Sequence, residues 1–274
     1  MRQLDEFLAS LIRMSEQTRS TYRGVIQRFY GIVGDVTPLK LNFGHVSKFI
    51  NDMDVKQLSS NSVSLYLIVL KKYLKFIDRK DLAEKIKVPG RHAREIHHVN
   101  YKYWDDLIEA AEPGRDRAII ATFLSTGMRC NECINIRVEN IDWKEGTIKV
   151  KIKGGEWATY QMITSDIREY LKPFLAGRRH GFAFSGVYRT GHISGRLVRD
   201  IVKNAAVKAG IPNAHLIHPH SLRHSLAVYL KLEQRWDINV IQDVLHHKDI
   251  RTTSIYTKIT DTEMTDFVKK HRPY

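Results

Sequence analysis

Apolar residues recur at helical spacing through roughly the first eighty positions of the chain. In TRSTYRGVIQRFYGIV, Tyr22, Val25, Ile26, Phe29 and Val33 share one face of a helix, and in SSNSVSLYLIVLKKYLKFID so do Val63, Tyr66, Leu67, Leu70, Tyr73, Leu74 and Ile77. Each stripe predicts an amphipathic helix with a basic outer face and assigns its tyrosines to packing. Shorter helices are expected from about Leu4 to Met14 and from about His45 to Asp54, which together make a small all-helical bundle. The periodicity then breaks at VPGRHAREIHHV, residues 88–99, where a Pro-Gly pair and basic side chains read as a linker. The expected organisation is therefore a helical domain over residues 1–88, a linker over 89–100 and a second domain over 101–274.

The second domain mixes two periods. Helical spacing recurs near residues 102–112, 115–126, 164–176, 193–209, 219–231 and 237–246, with short helices around Tyr256 and at the C-terminus. Between them, TIKVKIKGGEWATYQMI alternates: Ile148, Val150 and Ile152 face one way, and Lys149, Lys151 and Lys153 the other, ahead of a Gly-Gly turn. The fold class expected is mainly α with a small antiparallel β-sheet. There is no internal repeat and no low-complexity tract.

Charge narrows the partner. Forty-four Lys and Arg against thirty Asp and Glu leave a formal charge of +14, and residues 1–90 hold fifteen basic against nine acidic residues, so the surplus is spread over both halves. Such a spread suits a clamp around a polyanionic duplex better than a basic tail would. Membrane-surface binding calls for a basic amphipathic helix or a lipidation signal, and neither occurs. Asp5 and Glu6 argue against a secretory signal in the N-terminal segment, and no apolar run is long enough to span a bilayer. The two cysteines, Cys130 and Cys133, exclude a disulfide framework and are one pair short of a zinc site, so they read as small packing residues in a reducing, cytoplasmic setting.

Four segments combine groups suited to a phosphodiester: TGMRCNEC with Arg129, VKIKGGE with Lys153, HPHSLRH with His220 and Arg223, and LHHKDIRTTSIYT with His247 and Tyr256. Guanidinium forks match pairs of phosphate oxygens and hold the charge that grows in a pentacoordinate transition state. A lysine at a turn can deliver a proton to a leaving oxygen, and a histidine can take or give one near neutral pH. A tyrosine is a weak nucleophile at its free pKa of about 10, but clustered cations favour the phenolate. Taken singly, Arg129 would be a surface arginine at a helix end, Lys153 a solvated strand residue and Tyr256 a core aromatic. His220 and His224 lie four apart on a helix, but Ser221 stands where a zinc protease motif needs glutamate.

In order and spacing these residues resemble the tyrosine recombinases, the phage-integrase and Xer-type site-specific recombinases. TGMRCNE supplies Arg129 and the supporting Glu132, KGG supplies Lys153, PHSLRHSLAVYL supplies His220 and Arg223, and VIQDVLHHKDIRTTSIYT supplies His247 and Tyr256. The resemblance covers nearly the whole chain and implies an N-terminal core-binding domain followed by a catalytic domain, closing as a clamp on double-stranded DNA. It implies that Tyr256 attacks the scissile phosphate to give a 3′-phosphotyrosyl bond. Arg129 and Arg223 would hold the nonbridging oxygens, His247 would add a hydrogen bond, Lys153 would protonate the leaving 5′-oxygen, and His220 would assist proton transfer. No metal and no cofactor is implied; the implied partners are DNA, three further copies of the chain in a synaptic tetramer, and accessory recombination proteins.

Two positions depart from the family pattern. His246 stands where the family has glycine before the second histidine, where it either crowds the turn or competes with His247 for its role. Glu156 and Trp157 follow the lysine turn where a further basic residue is usual, which leaves Lys151 as a substitute for Lys153. The rival functions are a type IB topoisomerase, which nicks and relaxes without synapsis, and a DNA-binding protein that has lost catalysis. A metal-dependent nuclease would need a carboxylate cluster that the sequence lacks.

Overall fold

The computed structural model describes residues 2–90, 96–152, 155–186 and 191–246. The chain divides into two compact units, Met1–Arg94 and Glu95–Tyr274, with the break inside the segment read as a linker.

The first unit is a helical bundle: α1 (Arg2–Ser10), α2 (Glu16–Val33), α3 (Phe43–Val55), α4 (Ser60–Phe76) and α5 (Lys80–Lys85). Side-chain caps at Ser15, Asn42 and Ser59 begin α2, α3 and α4, each accepting from a backbone N–H three residues on. The two long stripes turn inward, and Ile26, Phe29, Val46, Phe49, Leu70, Tyr73 and Leu74 form the centre of the core. Phe29 meets Phe49 edge-on at 5.5 Å, and the Tyr30 and Tyr73 hydroxyls hydrogen-bond at 3.0 Å. Tyr22 and Tyr73 are buried and Tyr66 is half-buried, in keeping with a packing role. Helix α1 stops at Ser10, short of the expected Met14, where the Ser10 hydroxyl donates to the Phe7 carbonyl and competes with the helical ladder. Helix α5 was not expected; Arg79 precedes it, bonded to Asp81 and to the Pro38 carbonyl, and it buries only Leu82 and Ala83.

The second unit begins earlier than residue 101, because Val99 is buried in its core, donates its N–H to Ser225 Oγ at 2.8 Å and accepts from Trp104 Nε1. Its elements are α6 (Trp104–Glu109), α7 (Arg115–Thr126), α8 (Cys130–Ile134), β1 (Ile141–Asp142), β2 (Thr147–Lys151), β3 (Trp157–Gln161), α9 (Asp166–Leu175), α10 (Gly195–Lys208), α11 (Pro219–Leu232) and α12 (Ile238–Val244). Helix α6 is shorter than expected, since residues 101–103 form a 3₁₀ turn capped by Asn100. Helix α7 is buried from Ala118 to Thr126, which explains its weak amphipathic signal. The strands form an antiparallel sheet in the order β1-β2-β3, with Ile148 opposite Tyr160, Val150 opposite Ala158 and Lys151 opposite Trp157. Ile148, Val150, Ala158 and Tyr160 face the core, while Lys149, Lys151, Trp157 and Thr159 face solvent, as the alternation requires. Cys133 is buried and Cys130 half-buried; burial raises both thiols, so they act as packing groups. No helix among the described residues is long and apolar enough to cross a membrane.

Replacing Phe29 with alanine removes a ring from a dense site and should cost about 3–5 kcal/mol in urea unfolding. Ile12→Ala, at a position 78% exposed, should stay within about 0.5 kcal/mol of wild type in the same titration.

Candidate active site

The TGMR segment follows from how α7 ends. Gly127 adopts φ 60°, the left-handed conformation that closes a helix, and donates its N–H to the Phe123 carbonyl. A β-carbon there would run into the side chains of Leu245 and Leu226. Glycine is thus required both by the backbone and by the approach of α11 and of the residue after α12. The chain then extends through buried Met128 to Arg129, which begins α8.

Glu132, one turn into α8, organises this corner. Its carboxylate accepts from the Arg129 backbone N–H at 2.6 Å, from the Arg129 guanidinium at 2.9 Å and from the Tyr160 hydroxyl at 2.7 Å. Burial pushes its pKa upward, but the bonds from Tyr160 and Arg129 and the Arg129 charge outweigh it, and the carboxyl lies below its ordinary range. The Tyr160 hydroxyl is pushed the other way by burial and by the adjacent anion. Arg129 remains 42% exposed and also donates to the carbonyl of His246 at 3.2 Å.

HPHSLRH is a helix start. His218 caps α11 by accepting from the Ser221 N–H at 3.1 Å, Ser221 Oγ accepts in return from the His218 N–H, and Pro219 occupies the first turn, where a missing N–H costs nothing. His220 and Arg223 then fall three apart on one face. Arg223 is fully buried; it donates to the Gly127 carbonyl at 2.5 Å and to the Leu245 carbonyl. His220 is exposed as a whole residue, yet desolvation at its imidazole, followed by the charges of Arg223, His218 and Arg129, lowers its pKa to about 4. It is therefore neutral at pH 7. His224 packs its ring on His220 at 4.4 Å, and no group of three or more potential metal ligands occurs among the described residues.

The arrangement brings Arg129, Glu132, His220 and Arg223 together, with both guanidiniums donating to consecutive carbonyls, those of Leu245 and His246. Lys153, His247 and Tyr256 lie outside the described residues. Sequence reasoning missed Tyr160, visible only as an inward-facing strand residue, and the carbonyls of Gly127, Leu245 and His246, which carry no sequence signal. Lys151 lies over the ring of Trp157 at 5.6 Å on the open face of the sheet, and Trp157 is 58% exposed.

The neutral state of His220 should appear as pH-dependent stability. The unfolded chain protonates this histidine near its ordinary 6.5, whereas the folded site resists until about 4. Its contribution is full above pH 6.5 and is lost as the pH falls through about 4. His220→Gln should shrink the stability lost between pH 7 and pH 5, as followed by chemical denaturation at each pH.

Comparison with known proteins places these features. Residues 99–263 match the model of the phage integrase family, and residues 2–81 match the phage integrase N-terminal SAM-like domain. The tyrosine recombinase XerA of Pyrococcus furiosus is 30% identical over 230 residues, which cover 81% of this chain and 78% of that protein. Among solved structures, the XerH site-specific recombinase bound to a palindromic difH substrate in a post-cleavage complex aligns with a TM-score of 0.75 at 19% identity, covering 97% of this chain and 83% of that one. A lambda integrase tetramer bound to a Holliday junction aligns with a TM-score of 0.72 at 16% identity, covering 90% and 77%. At these identities the two structures show a shared fold.

Proposed function

The chain belongs to the phage integrase family of tyrosine recombinases, and from that premise we propose that it exchanges DNA strands at specific sites with Tyr256 as nucleophile. The observation that carries the residue assignment is the convergence of Arg129 and Arg223 on the carbonyls of residues 245–246, directly ahead of His247. Those two carbonyls belong to the residues that lead, in sequence, into the segment bearing Tyr256.

In the first step the Tyr256 oxygen bonds to the scissile phosphorus as the bond to the 5′-oxygen breaks. The phenolic proton passes to His220, which can accept it because its imidazole is neutral at pH 7. Arg129 and Arg223 take the charge that builds on the nonbridging oxygens, with a hydrogen bond from His247, and Lys153 gives its proton to the leaving 5′-oxygen. Glu132 supports Arg129 without touching the substrate. The 3′-phosphotyrosyl bond keeps the energy of the broken ester, so the freed 5′-hydroxyl of a partner strand restores the phosphodiester by the reverse reaction. Exchange between two duplexes requires four cleavage sites, hence a tetramer on DNA, the assembly described for lambda integrase. Residues 1–88 serve as the core-binding domain and the residues from Val99 onward as the catalytic domain, and the cytoplasm is the setting.

Tyr256→Phe deletes one oxygen and should abolish the covalent protein–DNA adduct on a nicked suicide substrate, resolved on a denaturing gel, while DNA affinity stays near wild type. An adduct formed by the Phe variant moves the nucleophile elsewhere. Lys153→Ala should slow cleavage of an ordinary phosphodiester yet spare a substrate with sulfur at the 5′-bridging position, because a thiolate leaves without a proton. Equal losses on both substrates would make Lys153 a binding residue and pass the proton donor's role to Lys151.

A further inference from the structure

The residue that departs from the family's glycine is the one most tightly tied into the site. His246 adopts φ 50°, in the left-handed region that non-glycine side chains enter rarely, though histidine more often than most. Its ring is held on two sides. Nε2 donates to the Thr159 carbonyl of β3 at 3.0 Å, which fixes the proton on that nitrogen, and the ring meets Tyr160 edge-on at 4.7 Å and 74°. Its own carbonyl accepts from Arg129, the preceding carbonyl of Leu245 accepts from Arg223, and Tyr160 donates to the Glu132 that pairs with Arg129. The imidazole therefore pins to the sheet the two-residue turn from which both guanidiniums take their bearing.

We propose that His246 is a positioning residue for strand cleavage: its imidazole clamps the 245–246 turn to β3 and so sets the two arginines and the chain entering His247. It neither crowds the turn nor replaces His247, because Nε2 is spent on the Thr159 carbonyl. This rests on the recombinase reading above for its effect on rate, but the clamp itself has a separate readout.

The test compares wild type with His246→Gly, His246→Ala and His246→Gln. Glycine frees the backbone from the left-handed constraint, so if conformation alone mattered that variant would cleave as fast as wild type or faster. The clamp predicts instead that Gly and Ala slow single-turnover adduct formation by roughly tenfold or more. DNA affinity and the thermal midpoint should stay close to wild type, a loss in rate without a loss in binding. Glutamine, whose amide N–H can reach the same carbonyl, should recover most of the rate. Undiminished cleavage by the Gly variant, or losses of rate and thermal stability that run in parallel through all three variants, would overturn the proposal. Nitrogen-15 spectra of the histidine rings should show His246 as the Nε2–H tautomer, and an Nδ1–H form would overturn the clamp. If wild type forms no adduct on any DNA, the recombinase reading fails, and the tautomer still decides the clamp.

Discussion

A fully buried cation constrains everything around it. The Arg223 guanidinium lies fully inside the second unit, where stripping its water costs several kcal/mol unless its donors find acceptors. The acceptors include two backbone carbonyls, Gly127 at the end of α7 and Leu245 after α12. Each must be brought to within hydrogen-bond reach, which explains why α7 ends on a glycine and why the Leu245 and Leu226 side chains fill the space a β-carbon would take. The arginine thus joins three helices through groups that no side-chain substitution on α7 or α12 can remove. The same bonds fix the orientation of its fork.

Arg129 is held by a different logic. It is partly exposed, and its partner Glu132 is buried and charged, kept ionised by three donors. The exposed guanidinium can meet a phosphate while the buried carboxylate, satisfied by Tyr160 and by the Arg129 backbone, stays behind it. Glu132 also explains why a tyrosine sits on the inner face of β3: a phenylalanine there would remove one of the two donors to Glu132 Oε2, leaving the Arg129 backbone N–H.

Much of this was legible in the sequence because it rests on local rules. Helix α7 was expected over 115–126 and occupies those residues, since Gly127 is a stop signal that needs no tertiary context. The alternation in β2 predicts that Ile148 and Val150 face inward and Lys149 and Lys151 outward, as they do. What escaped depends on distant partners. Helix α5 holds only two buried apolar residues, too few for a periodic signal, and is supported by Arg79 reaching back to Pro38. Tyr160 could be placed on the inner face, but the carboxylate it meets lies twenty-eight residues away. Backbone carbonyls are the same in every sequence, so the acceptors of Arg223 and Arg129 could not be read at all. His246 could be seen as a departure, and only its ring contacts decide between the meanings open to it.

The electrostatic sum of the site fits the chemistry assigned to it. Arg129 and Arg223 bring two positive charges, Glu132 cancels one, and His220 contributes none because its imidazole stays neutral until about pH 4. A phosphodiester carries one negative charge, which this set of residues neutralises in the ground state. If Tyr256 adds as proposed, a second negative charge develops on the pentacoordinate phosphorus, matched by the proton that His220 takes from the phenol, while Lys153 gives its own proton to the leaving oxygen. On the proposed mechanism a neutral His220 gains its positive charge only as the phenolic proton moves, which would favour the transition state over the bound substrate.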